Sequence, residues 1–232
     1  MPDIASIFGR HEFAVRRLHS LLGLVPIGGF LCIHLATNAS ILDGPETFQD
    51  RVGQIHGIGP ITLVCLEWAL IFLPILFHGL VGLTIVARGR RNVLGYPYRE
   101  NIRYTLQRGS GVIAMAFILW HVFHMRGWFH AQWWMAHVTR PLGGGLFDAT
   151  RAAETAAAAI QASWAVQAVY AVGVLACVYH FANGLWTLGI TWGLCTSPKA
   201  QRWANVPCTL VGRGLATAGL AALVGMNITT LP

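Results

Sequence analysis

The chain has 232 residues, of which 55% are hydrophobic and only 11% are charged, whereas a soluble domain carries about a quarter charged residues. Its 16 Lys and Arg outnumber its 9 Asp and Glu, which gives a net charge of +7 at neutral pH. Most basic residues lie between apolar runs, so the pattern excludes a nucleic-acid-binding protein and favours a membrane protein. The composition also excludes a disordered, a collagen-like or a disulfide-rich secreted chain.

Five apolar stretches reach the length of about 20 residues that a membrane-crossing helix needs. Lipid offers no hydrogen-bond partners to exposed amides, so each stretch is expected to be helical. The predicted fold is all-α, an integral membrane bundle treated as a single domain over residues 1–232. Pro26 and Pro74 lie inside spans and are expected to bend them. The predicted spans are 18–41, 60–87, 109–129, 156–192 and 206–228.

The connections between these spans predict the orientation of the chain. Basic residues concentrate before the first span and after the second and fourth, whereas the other two connections are poorer in them and mixed in sign. Positively charged loops stay in the cytoplasm, so the N-terminus is expected inside and the C-terminus outside. The basic residues counted are Arg10, Arg16, Arg17, Arg88, Arg90, Arg91, Arg99, Arg103, Arg108, Lys199 and Arg202.

Four of the ten histidines lie singly within four different predicted spans: His34, His78, His121 and His180. One such histidine is explained by a hydrogen bond to a neighbouring helix. Four are harder to explain in this way, because each buried imidazole needs a partner.

The depths of these histidines divide them into two pairs. His34 and His121 lie nine and five residues from the outer loops, or about 8 to 14 Å in a helix. His78 and His180 lie 18 and 26 residues from theirs, which is about 27 Å or more. We call His34 and His121 the outer pair, and His78 and His180 the inner pair.

Two neutral imidazoles at one depth, with no thiolate or carboxylate beside them, suit the two axial positions of a haem iron. Zinc would usually have further Cys, Asp or Glu ligands. A CxxCH motif is missing from the sequence, so two non-covalent haems b are expected. Small residues that would leave room for a flat macrocycle, or serve ordinary helix packing, are Gly28, Gly29, Gly79, Gly82, Gly111 and Gly184.

Further polar residues of the spans are weaker candidates. His19, beside Arg17 at the cytoplasmic end of the first span, could hold haem propionates or a quinone oxygen, or belong to a basic rim. Arg108 joins these two as a candidate cofactor-binding residue. Glu67, the one acid in mid-span, is a candidate for proton delivery, the alternative being a neutral hydrogen-bonded side chain. For His124, three residues after His121, we favour a core or interfacial role over an HxxH metal site.

Five segments of the sequence together point to a known family: RRLHSLLGLVPIG, HLATN, LEWALIFLPILFHGLVG, LQRGSGVIAMAFILWHVFHMR and YHFANGLWTLGITWG. They resemble the di-haem cytochrome b membrane anchors of bacterial succinate:quinone oxidoreductase of the b558 type. The similarity covers the four histidine-bearing spans, roughly residues 10 to 195.

The resemblance implies that the haem ligands are His34, His78, His121 and His180. The second and fourth spans would share the inner haem, and the first and third spans the outer haem. It implies two partner subunits, a cytoplasmic flavoprotein that oxidises succinate and an iron–sulfur subunit that passes the electrons to this anchor. The anchor would then reduce a membrane quinone, for which menaquinone is favoured over ubiquinone. The chain would then be a multi-pass protein of the bacterial cytoplasmic membrane. Related fumarate reductases carry an acid near the fourth-span ligand, and here Cys177, Val178, Tyr179 and Phe181 stand there.

Two other functions remain open at this point. The chain could anchor a quinol:fumarate reductase, or be another di-haem quinol-oxidising cytochrome b such as that of a nitrate reductase. A haem-free transporter or structural anchor, with the histidines as a proton relay, would be expected to show broken polar helices or repeated halves. We find neither pattern in the sequence.

Overall fold

The structure, a computed structural model, describes residues 4–90 and 92–231. Within these two ranges the regular structure is helical, with ten α-helices, several π-helical and 3-10 segments, and no strand. The helices are α1 (Ile4–Leu22), α2 (Gly29–Ala39), α3 (Pro45–His56), α4 (Pro60–Glu67), α5 (Leu73–Ala87), α6 (Arg99–Arg126), α7 (Gln132–Trp134), α8 (Ala152–Gln161), α9 (Trp164–Thr191) and α10 (Pro198–Ile228). The all-α prediction is confirmed.

Five helical stretches of the described chain are long and apolar enough to cross a membrane: His11–Asp43, Pro60–Ala87, Arg99–Arg126, Trp164–Thr191 and Pro198–Ile228. The predicted number of spans is therefore confirmed, and the second has the predicted bounds. Arg91, one of the basic residues counted for the orientation, lies outside the described residues.

The helices of the first, third and fifth spans begin before the predicted bounds, because helix continues beyond the apolar run. The third begins at Arg99 and not at residue 109, and Glu100 in its first turn suits the positive end of the helix dipole. It ends at Arg126 and not at 129, because Gly127 adopts a φ of +82°, which ends a helix. The fifth begins at Pro198 and not at 206. Its start is capped by Ser197, whose Oγ accepts the Ala200 N–H at 3.1 Å.

The predicted fourth span, 156–192, is wrong as one continuous helix. The structure has α8 and α9 there, and α9 begins after Ser163, whose Oγ accepts the Val166 N–H at 3.2 Å. Such a serine is a helix N-cap. α8 is apolar because it packs inside the protein: Ala156, Ala157 and Ile160 are buried in a hydrophobic cluster.

The two prolines expected to bend spans lie at π-helical segments. Pro26 lies inside the segment Gly23–Gly28, and Pro74 follows the segment Trp68–Phe72. Proline lacks an N–H and its ring clashes with the carbonyl four residues earlier, so a wider turn relieves the helix at these points.

The chain divides into two compact units, each built from several segments. Unit 1 comprises the chain up to Leu31, Val64–Val112 and Tyr179–Gly212. In unit 1, α1 packs against α5, and His19 near the C-terminal end of α1 contacts His78 of α5. Unit 2 comprises Cys32–Leu63, Ile113–Val178 and the chain from Arg213. In unit 2, α8 packs against α3.

Candidate functional site

The inner pair comes together in unit 1, where the ring centres of His78 and His180 lie 6.0 Å apart and the ring planes are 85° apart. Nδ1 of His78 lies 2.9 Å from the carbonyl oxygen of His19, and Nδ1 of His180 lies 3.0 Å from that of Gln107. A carbonyl oxygen can only accept, so each Nδ1 carries the proton. Each Nε2 therefore keeps a lone pair that a metal could take.

Two glycines leave room for these rings. A Cβ on Gly23 would lie 2.5 Å from Cε1 of His78, and a Cβ on Gly111 would lie 2.7 Å from Cε1 of His180. Any other residue would push the imidazole out of place. Gly111 belongs to the predicted small residues, whereas Gly23 was missed.

The outer pair comes together in unit 2, where the ring centres of His34 and His121 lie 5.9 Å apart at 70°. Nδ1 of His121 lies 3.2 Å from the hydroxyl of Tyr170. Phe117 stacks on the His121 ring at 5.6 Å between centres. The outer imidazole of α6 is thus held by a tyrosine of α9.

His124 shares the hydroxyl of Tyr170 with His121. Its Nδ1 lies 3.0 Å from that oxygen, its ring stacks on Trp120 at 4.7 Å, and it is 6% exposed. A hydroxyl has one proton, so Tyr170 donates to one imidazole and accepts from the other. This is a hydrogen-bonded core position, the role that the sequence favours for His124.

The spacing of both pairs fits one metal ion between two imidazoles. A metal–imidazole bond is about 2 Å long and the ring centre lies about 1 Å beyond the nitrogen, so two ring centres stand about 6 Å apart across the metal. From residue 4 to 90 and from 92 to 231, no group of three or more His, Cys, Asp and Glu could hold a metal ion. Two imidazoles alone suit an iron whose other ligands come from a porphyrin. The residues therefore fit bis-histidine haem at each pair.

No protein-family model matches the chain. A succinate dehydrogenase cytochrome b558 subunit of Bacillus subtilis (strain 168) is 34% identical over 216 residues, which are 93% of this chain and 97% of that protein. The chain belongs to this family. The cytochrome b558 resemblance found in the sequence is thereby confirmed.

The candidate cofactor-binding residues of this cytochrome b558 family member differ in their surroundings. The ring of His19 stacks on His78 at 3.9 Å between centres. The guanidinium carbon of Arg17 lies 4.9 and 5.0 Å from the ring centres of Phe13 and Trp192. That of Arg108 lies 3.8 Å from the ring centre of Tyr104. The described contacts thus bring His19 to the inner pair and place both arginines on aromatic rings.

Glu67 is the last residue of α4, directly before a π-helical segment, and it is half-buried in unit 1. Its role stays a prediction.

Gln107, Asn183 and Tyr170 are site residues that the sequence analysis missed. Asn183 and Tyr170 are polar residues inside a predicted apolar span, which is the signal that could have found them. Gln107 lies two residues before the predicted third span and carries no such signal. Their partners lie on other helices, so spacing along the chain does not reveal them.

Proposed function

We propose that the chain is the membrane anchor of a succinate dehydrogenase complex, which holds two haems b and passes electrons from an iron–sulfur subunit to a membrane quinone. The observation that carries this proposal is the presence of two imidazole pairs on four spans, with ring centres 5.9 and 6.0 Å apart. The relative in Bacillus subtilis is a succinate dehydrogenase cytochrome b558 subunit by name.

Each residue of the proposed inner site has a defined task. His78 and His180 offer Nε2 to the iron, while the carbonyls of His19 and Gln107 fix both rings through Nδ1. Gly23 and Gly111 leave the space that the rings occupy.

The proposed outer site is built in the same way. His34 and His121 would bind the iron, and the Tyr170 hydroxyl holds the His121 ring. Bound haem supplies reversible one-electron exchange at each site, which the side chains of this chain lack.

The basic residues support an orientation in which the N-terminus lies in the cytoplasm. The inner pair is then the one nearer the cytoplasm, where we place the iron–sulfur and flavoprotein subunits. This makes the chain a multi-pass protein of the bacterial cytoplasmic membrane. His19, Arg17 and Arg108 lie in unit 1 and remain the candidates for contacts to the propionates of the inner haem or to a quinone.

The polar groups around the fourth-span ligand support menaquinone as the acceptor. His180 contacts the amide of Gln107, and Asn183 lies beyond that amide. Neutral amides do not carry protons across the membrane, so the electrons that move outward would keep their charge uncompensated. The membrane potential can then assist the reduction of a low-potential quinone.

Substitution of the four histidines one at a time tests this function. His34→Ala or His121→Ala is expected to remove the outer haem and keep the inner one. His78→Ala or His180→Ala is expected to do the reverse, because each variant removes one of the two imidazoles that would hold that haem. Reduced-minus-oxidised spectra of the membrane-bound complex measure both haems. His56→Ala, exposed on α3, is the control and should keep both. Equal loss of both haems in every assembled variant would contradict the pairing.

A further inference from the structure

A chain of hydrogen bonds in unit 1 joins an arginine to the inner pair. Arg103 Nε donates to Oδ1 of Asn183, and Nδ2 of Asn183 donates to Oε1 of Gln107 at 2.6 Å. Nε2 of Gln107 then donates to the carbonyl of His180 at 3.1 Å. Since Nδ1 of His180 donates back to the carbonyl of Gln107, α6 and α9 are joined reciprocally at this ligand.

Arg103 sets the direction of every bond in this chain. A guanidinium can only donate, so Asn183 must turn its amide oxygen toward Arg103 and its NH₂ toward Gln107. Gln107 must in turn accept with its oxygen and donate with its nitrogen. The amide that clasps His180 therefore has one orientation, which keeps the imidazole in place with Nε2 directed away from the carbonyl of Gln107.

The hydrogen-bond partners of Arg103 carry no charge. Its Nη1 donates to Oδ1 of Asn205 at 2.6 Å, and its guanidinium carbon lies 3.6 Å from the ring centre of Trp186. Asn183 is only 5% exposed, and Arg103 and Gln107 are half-buried, so the relay is partly shielded from water. A guanidinium stays protonated even there, and a charge in such surroundings acts more strongly than in water.

We propose that Arg103, acting through Asn183 and Gln107, positions His180 and raises the reduction potential of the inner haem. This inference rests on the proposed function. A haem held by His78 and His180 would lose one positive charge on reduction. A fixed cation joined to His180 through two side chains would therefore favour the reduced form. The arginine is a positioning residue, because it reaches His180 only through Asn183 and Gln107, while its charge acts on the haem site through space.

Redox titration of the membrane-bound complex tests the inference with two charge variants. Arg103→Gln removes the charge and keeps a donor amide, whereas Asn205→Asp keeps the relay and neutralises the guanidinium. In both, the ferric-to-ferrous equilibrium of the inner haem is expected to shift on the order of tenfold toward ferric iron, which is about 59 mV for one electron. The outer haem should keep its potential. Arg103→Lys, which keeps the charge, should retain most of the inner potential.

Arg99→Gln is the matched control, because Arg99 is exposed one turn earlier on the same helix and should leave the inner haem nearly unchanged. An unchanged inner potential in both charge variants would overturn the inference, and so would an equal shift in the control. If Arg103→Gln does not assemble, Asn205→Asp decides alone. A wild-type complex without two haems b would instead contradict the proposed function.

Discussion

At His78 and His180, the hydrogen bond made by Nδ1 determines what the imidazole can do. Both bonds end on backbone carbonyls, which cannot donate, so Nε2 is the nitrogen left for a ligand. These carbonyls belong to α1 and α6. The backbone of these two helices thus helps to orient the inner imidazoles.

The glycines beside these rings give a sharp prediction at the residue scale. Gly111→Ala would place a Cβ 2.7 Å from Cε1 of His180, and such overpacking costs about 1–3 kcal/mol. That corresponds to a roughly 5- to 150-fold weaker inner haem site. Haem content by difference spectroscopy should show selective loss of the inner haem.

Gly109→Ala is the control on the same helix, because a Cβ there would meet no atom within 4 Å. Both changes favour helix by about 1 kcal/mol, so helix propensity cannot explain a difference between them. A full inner haem signal in Gly111→Ala would contradict the role of this close contact.

The sequence predicts the histidines better than the residues that orient them. An imidazole in an apolar span stands out, and the depth of each follows from counting residues. The carbonyls of His19 and Gln107 give no sequence signal, because every residue has one. Gly23 meets the His78 ring only because the first two spans approach each other closely there, which residue spacing does not predict.

At the scale of elements, α8 is capped from another helix. Oε1 of Gln49 on α3 accepts the Ala152 N–H at 2.6 Å, and Nε2 of the same side chain donates to the Ala149 carbonyl at 2.9 Å. The first N–H groups of a helix lack partners within it. One glutamine therefore fixes the start of α8 against α3.

Removal of this cap is expected to destabilise unit 2. Gln49→Leu leaves the N–H of Ala152, which is fully buried, without its acceptor, at a cost of about 1–3 kcal/mol. Thermal unfolding of the purified complex should therefore begin at a lower temperature. Gln54→Leu, exposed on the same helix, should leave the Tm unchanged. Equal Tm values for the two variants would contradict the capping role.

Hydropathy predicts the number of spans correctly, but it predicts the ends of the helices less well. It detects only apolar residues, so it misses the polar turns that extend α6 and α10 beyond the apolar run. It also merges α8 with α9, because alanines buried by protein look like alanines buried by lipid. The Ser163 cap is the local signal that separates these helices.

At the scale of the whole molecule, the proposed path moves electrons from the cytoplasmic side toward the outer haem. The cytoplasm is negative, so outward movement of an electron is favoured by up to about 2.3 kcal/mol per 100 mV. Protons for the quinone would come from outside, with Glu67 and the polar connection between the first two spans as the candidates to deliver them. The membrane potential would then assist succinate oxidation by menaquinone.

An uncoupler tests this use of the membrane potential. Collapse of the potential is expected to slow succinate oxidation by intact cells, while the purified complex with a soluble electron acceptor should be unaffected. Unchanged oxidation in the uncoupled cells would contradict an outer quinone site. A quinone bound only at the inner face, beside His19, would do so as well.

The most direct test of two bis-histidine haem sites is a haem count on the purified complex, combined with a redox titration. The account predicts two non-covalent haems b for each copy of this chain, reduced in two separate one-electron steps, because the two imidazole pairs have different surroundings. One haem for each chain, or none, would contradict it.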